Sequence, residues 1–198
     1  MKYLLRSACL LPVLACAGAM AQAPQYDSDS RLVVPADYRE WVFLTSSLDL
    51  NYDDAVPGAA VRSSLLDNVF VNPDAYKIFM KTGVWPDKTI LVKENRVAAS
   101  AGTISKSGKF QTWVASMELH VKDATRFKGK WMFFVSDGTA PARPVPTTAN
   151  CYSCHQQHGA VDTTFVQFYP TLLEIAKAKA TLSSGYVGDE RCLSIAGQ

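Results

Sequence analysis

Apolar residues recur along the chain in short runs that polar turns separate. Five runs are rich in β-branched and aromatic residues and therefore predict strands. They cover residues 41–48, 65–71, 89–95, 109–121 and 130–136. Polar, glycine-containing connections separate the last three runs, as in an antiparallel meander.

Helix signals follow the second predicted strand and return near the C-terminus. Asn72 can cap a helix that starts at Pro73 and ends at Gly83. Residues 149–159 and 169–182 predict two further helices. The last one repeats apolar residues on one face, namely Leu172, Leu173, Ile175, Ala176 and Leu182. The predicted fold class is α+β, with a central antiparallel β-sheet meander, short helices and a C-terminal helical segment.

The N-terminal residues 1–21 have the features of a secretory signal peptide. Lys2 and Arg6 precede an apolar stretch, and small residues lead up to a cleavage site after Ala21. The alternative is a lipoprotein signal that ends at Cys16. The signal predicts export to the periplasm. No later stretch reaches the roughly 20 apolar residues of a membrane helix, so we expect no membrane span.

After the signal, residues 22–31 predict a flexible N-terminal arm and residues 32–198 a single domain. The full chain has 20 basic and 18 acidic side chains. Loss of Lys2 and Arg6 with the signal leaves 18 of each, and this zero net charge argues against nucleic-acid binding.

The strongest chemical signal is the run Cys151-Tyr-Ser-Cys154-His155. A Cys-x-x-Cys-His run is typical of haem c attachment, in which the two thiols add to the vinyl groups and the histidine binds iron. A zinc site with His158 or Cys192 as a further ligand is one alternative. A redox disulfide is another, although such a pair usually follows a strand in a βαβ unit. Cys192 is then a free thiol or a link between subunits.

The ligand on the other side of the iron would decide between electron transfer and small-molecule binding. The candidates are Met80, Met117, Met132 and His120. Met117 alternates with Trp113, Leu119 and Val121 on what we predict to be a core face, and methionine commonly fills gaps in cores. The spacing does not choose among the candidates.

Several blocks in order make the chain similar to the cytochrome P-460 family. They are LVVPADYREWVF, VNPDAYKIFMKTG, TILVKEN, MELHVKDATRF, CYSCH and FVQFYP, and they extend from about Leu32 to Leu182. The resemblance implies a mainly antiparallel β fold, a homodimer and one five-coordinate haem c. It also implies a third covalent link from a lysine amine to the porphyrin. Such proteins oxidise hydroxylamine to nitrous oxide or products derived from nitric oxide.

The resemblance assigns two polar residues on predicted strands. Lys93 matches the cross-linking lysine, and Glu118 matches a distal acid that takes protons from hydroxylamine. Strand alternation puts Lys93 and Glu94 on opposite faces, so Glu94 does not neutralise Lys93 within the strand. From the residues alone, Lys93 is an ordinary solvated lysine and Glu118 faces either a pocket or solvent. Residues 48–70 differ from the family in length and sequence, and Phe70 is a candidate for the distal wall.

The export signal, the Cys-x-x-Cys-His run and the family resemblance together imply a periplasmic hydroxylamine oxidoreductase with a single haem c and an external electron acceptor such as a small cytochrome c. Its cofactor-binding residues are Cys151, Cys154, His155 and Lys93, with His155 as the metal ligand and with Glu118 and Lys93 as catalytic residues. One alternative is a cytochrome c-prime-like β-sheet protein that binds nitric oxide or carbon monoxide. The other is a plain electron-transfer cytochrome c.

Overall fold

A six-stranded antiparallel sheet, whose strands lie side by side in chain order, forms the centre of the molecule. The computed structural model describes residues 23–50, 64–102, 104, 106–138 and 141–187. The strands are β1 (Val42–Leu48), β2 (Leu65–Val71), β3 (Ile90–Ala99), β4 (Phe110–Lys122), β5 (Trp131–Ser136) and β6 (Arg143–Pro144). Each strand pairs with its neighbour in the chain, so the predicted α+β meander is confirmed.

The two faces of the sheet contact different apolar clusters because side chains alternate along each strand. One cluster packs helices against Val69, Val71 and Leu91. The other includes Val92, Met117, Leu119 and Val121 on the opposite face and Leu32 from the N-terminal segment. The alternation predicted for β3 and β4 therefore separates the two clusters.

Trp113 departs from the predicted core face of β4. Its side chain is 66% exposed, whereas Met117 and Leu119 on the same strand are buried. The register between β3 and β4 shifts on both sides of Arg96, which lies opposite Val114. Trp113 lies between Gln111 and Val114, within the second register shift, and outside the buried clusters, so simple alternation from Met117 fails there.

Helix α1 (Pro73–Thr82) has the predicted limits, but its start is stabilised differently. The Asn72 side chain makes no cap hydrogen bond. Its Oδ1 accepts a hydrogen bond from the Ile90 amide at 2.8 Å, and its Nδ2 donates to the Lys88 carbonyl at 3.2 Å. Asn72 thus joins the helix start to β3. At the other end, Gly83 has a φ of +74°, a conformation that glycine adopts without strain.

Helices α2 (Asn150–His158), α3 (Pro170–Ala178) and α4 (Ser184–Val187) follow the sheet. Helix α3 buries Leu172, Leu173 and Ala176, as predicted, but it ends at Ala178 and not at Leu182, and Ile175 and Leu182 are only partly buried. At the end of α2, a Cβ added to Gly159 would lie 2.6 Å from the His155 carbonyl oxygen. Glycine therefore lets the chain turn closely behind His155.

The N-terminal segment is attached to the sheet at Tyr26. The Tyr26 ring packs edge-on against Phe127 at 5.9 Å between centroids, and its hydroxyl donates to Asp123 Oδ2 at 3.3 Å. The predicted signal peptide, Cys16 and Cys192 lie outside the described residues. Among the residues described, no helix is long and apolar enough to cross a membrane.

Glu94 holds a polar network on the sheet face opposite Lys93. Its carboxylate is 2% exposed and accepts hydrogen bonds from Tyr38, Arg39 and Arg96. Burial raises the pKa of Glu94, but these three donors outweigh it and lower the pKa below its usual value. The network ties the segment before β1 to β3.

We expect Glu94→Gln to lower the free energy of unfolding by about 2 kcal/mol, because charge-assisted hydrogen bonds are lost. Since the folded pKa is depressed, this stabilisation is present above the unfolded pKa of about 4.3 and is lost as the pH falls through the folded pKa. Urea unfolding of the parent protein and of Glu94→Gln, from neutral to acidic pH, measures the difference in the free energy of unfolding. The exposed Glu40→Gln is the control, and equal stability of Glu94→Gln and the parent would contradict the prediction.

Candidate functional site

One large cavity contains all five site residues that the sequence predicts. Its volume is about 1280 Å³, above the roughly 300–1,000 Å³ of common small-molecule pockets. Strands β2 to β5 and helix α2 contribute to the lining. The predicted residues that line it are Lys93, Glu118, Cys151, Cys154 and His155. Residues from two central strands and a C-terminal helix thus meet in one space.

Helix α2 carries both cysteines and the histidine. Cys151 and Cys154 are free thiols, both half-buried and facing the cavity, so they form no disulfide. Burial raises the pKa of the Cys151 thiol, which keeps it in the protonated form. The three-residue spacing puts the two sulfurs on one side of the helix. This arrangement fits a group that bonds covalently to both thiols.

The geometry of His155 leaves one ring nitrogen for a ligand. Its Nδ1 lies 2.8 Å from the Thr163 carbonyl oxygen, and because a carbonyl only accepts, Nδ1 carries the proton. Nε2 is then the unprotonated nitrogen, the form that binds a metal. Burial lowers the pKa of His155 and favours the neutral ring. Phe165, at 4.1 Å between centroids, and Phe133, at 4.6 Å, fix the ring plane.

His120 belongs to the packing around His155. It stacks on Phe133 at 4.0 Å between centroids and meets the His155 ring edge-on at 5.4 Å. Its Nε2 lies 3.4 Å from Thr163 Oγ1, beside the carbonyl that holds His155. Burial lowers the pKa of His120 far below its usual value, so the ring is neutral. These shared neighbours favour a structural role over that of a ligand opposite His155.

The three candidate methionines have other places in the fold. Met117 is buried in the cluster on the other face of the sheet, and Met132 packs against that cluster. Met80 packs against the helix-side cluster. None of these three lines the cavity.

Lys93 lies between two carboxylates. Its Nζ is 3.3 Å from Glu118 Oε1 and 3.6 Å from Asp67 Oδ2. Glu118 is directly opposite Lys93 in the β3–β4 pair. Val69 is opposite Lys93 in the β2–β3 pair, so Asp67 is its diagonal neighbour. Glu94 points to the other face, as strand alternation predicted.

Glu118 combines solvent contact with a fixed orientation. Its side chain is 50% exposed, and its Oε1 accepts a hydrogen bond from Asn95 Nδ2 at 3.0 Å. Asn95 also donates to Ser116 Oγ at 2.8 Å, which fixes the amide. Glu118 therefore faces the cavity and not only the solvent, the question that periodicity left open.

Sequence reasoning missed Asp67, which is 3% exposed and lines the cavity. A signal was present, since a charged residue interrupts the apolar run of β2. The prediction that Phe70 forms a wall of the site was wrong. It packs against Tyr38 at 5.7 Å and Phe43 at 5.8 Å between centroids and does not line the cavity, because it faces the other side of β2.

The donor set fits haem better than a bare metal ion. Among the residues described, no group of three or more His, Cys, Asp or Glu side chains is placed to hold a metal ion. A zinc site would need a ligand such as Cys192, which lies outside them. Two free thiols, one available imidazole nitrogen and a large cavity with aromatic walls match a macrocycle that carries its own metal.

The comparison with protein families agrees with this geometry. The family model described as Cytochrome P460 matches residues 35–166, about two thirds of the chain. The matched range includes every cavity residue predicted from the sequence. A comparison with curated proteins gave no match.

Proposed function

Because the chain belongs to the cytochrome P460 family, a family of haem-binding cytochromes, we propose that it is a haem c enzyme that oxidises hydroxylamine. The observation that carries this proposal is one cavity with a lysine and two carboxylates opposite a Cys-x-x-Cys-His helix. The same proposal covers the periplasmic location, the homodimer and an external electron acceptor such as a small cytochrome c.

Three residues of α2 would hold the haem. Cys151 and Cys154 would form thioethers with its vinyl groups, and His155 would bind the iron through Nε2. The Thr163 carbonyl, as the acceptor of the Nδ1 proton, fixes the ring for that bond. Bound there, haem would supply an iron centre that binds a small nitrogen compound and accepts its electrons.

Glu118 is the proposed proton acceptor of the reaction. Oxidation of hydroxylamine releases protons together with electrons, so a nearby base lowers the barrier. The Asn95 amide holds Glu118 Oε1 toward the cavity, and the exposed half of its side chain lets the proton leave to solvent. Products would be nitrous oxide or compounds derived from nitric oxide.

Lys93 is proposed as the third attachment point of the macrocycle. In the present geometry two carboxylates stabilise its ammonium form, whereas bonding to carbon requires the neutral amine. The bond would replace an N–H and a C–H, so two electrons and two protons must leave to an oxidant such as a peroxide. The ion pairs fix the position of the amine before that event.

The alternatives receive less support from the cavity. A protein that only binds nitric oxide or carbon monoxide has no use for two carboxylates beside a lysine, because binding releases no protons. An electron-transfer cytochrome needs a second axial ligand. Of the methionines that the structure describes, none lines the cavity.

We expect peptide mass mapping of the haem-loaded protein to recover the Cys151–His155 peptide joined to the Lys93 peptide through haem. Lys93→Met should abolish that joined species and leave haem on the two cysteines. Lys77→Met, at an exposed lysine paired with Asp74, is the control and should keep the link. Recovery of a free Lys93 peptide from the parent protein would reject the cross-link.

A further inference from the structure

Asp67 is a second carboxylate in the cavity, and its surroundings differ sharply from those of Glu118. Asp67 is 3% exposed, whereas half of the Glu118 side chain contacts solvent. Lys93 Nζ lies 3.6 Å from Asp67 Oδ2, and Ser47 Oγ donates to the same oxygen at 3.4 Å. Burial raises the pKa of Asp67 and outweighs the opposing effect of Lys93. Asp67 thus depends on one lysine for its compensating charge.

The charge balance around Lys93 changes if its nitrogen bonds to the macrocycle. An amine attached to an aromatic ring is neutral, so two carboxylates that shared one cation lose it. A buried carboxylate without a cation is strongly disfavoured, and such groups take up a proton instead. Glu118 can be solvated, but Asp67 cannot.

We propose that Asp67 takes up a proton when Lys93 loses its charge and holds that proton in the mature enzyme. The inference rests on the proposed function, because the cross-link is what neutralises Lys93. The cavity then contains one neutral carboxylic acid, Asp67, and one solvated carboxylate, Glu118. When the environments of two carboxyl groups keep one protonated and the other ionised, the first can act as an acid and the second as a base. Asp67 is therefore a positioning residue. Because it is neutral, Glu118 is the single charged carboxylate of the pair that can accept a proton from the substrate.

The other groups that face Asp67 agree with this assignment. From β3 it meets Lys93, and Glu118 on β4 adds a negative charge that also raises the pKa of Asp67. Strand β1 contributes the Ser47 hydroxyl. Asp49 and Lys109 line the same cavity and nearly balance each other in charge. The cross-link therefore removes the cation that contacts Asp67 directly.

Infrared spectroscopy of the haem-loaded Lys93→Met variant tests the inference, because a protonated carboxyl has a carbonyl band that a carboxylate lacks. At about pH 6, fewer than roughly one in a hundred ordinary aspartates carry a proton, given a pKa near 3.9. We expect the band in Lys93→Met and its loss in Lys93→Met/Asp67→Asn. Lys93→Met/Asp123→Asn, which alters another buried aspartate paired with a lysine, should keep it. Absence of the band from Lys93→Met overturns the inference.

The cross-linked parent protein provides the second measurement if Lys93→Met fails to fold. Its protonated-carboxyl band should be present at about pH 6. This corresponds to proton binding at least roughly a hundredfold tighter than that of an ordinary aspartate. The band should disappear in Asp67→Asn and return in Asp67→Glu. A cross-linked parent without the band rejects the role of Asp67 while the enzyme proposal stands. A parent with free Lys93 and no hydroxylamine oxidation rejects the enzyme proposal and, with it, the protonation of Asp67 that depends on the cross-link.

Discussion

Glu118→Gln should lower the rate of hydroxylamine oxidation by about 10²- to 10⁴-fold, the usual contribution of a positioned general base. Glutamine keeps the size of the side chain and can still meet Asn95, but its amide oxygen is far too weak a base to take a proton from the substrate. The loss should fall on kcat more than on KM, because proton transfer belongs to the chemical step. Steady-state kinetics with an artificial electron acceptor, on protein checked for full haem content, measures both.

The control for Glu118→Gln is Glu174→Gln, on the exposed surface of α3 and paired with Lys177. It should oxidise hydroxylamine at the parent rate. If Glu118→Gln keeps more than about a tenth of the parent rate, Glu118 is not the base. If the variant loses haem, the role of Glu118 is structural.

Phe79→Ala should lower the free energy of unfolding by about 3–5 kcal/mol, the range for deletion of a buried aromatic ring. Phe79 is fully buried in α1, and its ring lies 4.2 Å from the Trp85 ring between centroids. The cavity that alanine leaves cannot close easily, because Trp85 Nε1 is fixed by a 2.8 Å hydrogen bond to Thr164 Oγ1. Urea unfolding at equal haem content measures the change.

The neighbouring Ile78 supplies the matched control for Phe79, since its side chain is 42% exposed on the same helix. Ile78→Ala should change the free energy of unfolding by less than about 0.5 kcal/mol. A loss below about 1 kcal/mol for Phe79→Ala would mean that α1 repacks freely. Because Thr164 follows the residue whose carbonyl holds His155, we also expect Phe79→Ala to lose haem more readily than Ile78→Ala.

Much of the fold could be predicted from the sequence because the local signals agree with the tertiary structure. Pro73 and Gly83 bound α1, since one fits a first helical turn and the other adopts a positive φ. The run of residues 65–71 matches β2 residue for residue. Strand β6 was not predicted, because Arg143 and Pro144 pair with β5 only through tertiary contacts.

The site divides in the same way between local and tertiary information. Cys151, Cys154 and His155 form a contiguous motif, so their common helix follows from their spacing. Asp67 is different, because it meets Lys93 only through the β2–β3 register, and the charge that interrupts the apolar run of β2 does not by itself show that its side chain faces a cavity. The cap role of Asn72 also failed for a tertiary reason, since the backbone of β3 competes for its side chain.

The order of the strands has a consequence for how the protein reaches its native state. Every strand pairs with its neighbour in the chain, and the β3–β4 pair closes a shorter connection than β1–β2 or β2–β3, so its contacts of lower sequence separation form sooner. Lys93 and Glu118 come together within one such hairpin, β3–β4, well before α2 in the chain. We expect the part of the sheet that carries Lys93 and Glu118 to be formed before α2 packs against it. The lysine would then meet the macrocycle only at docking, which makes the third bond the last event of maturation.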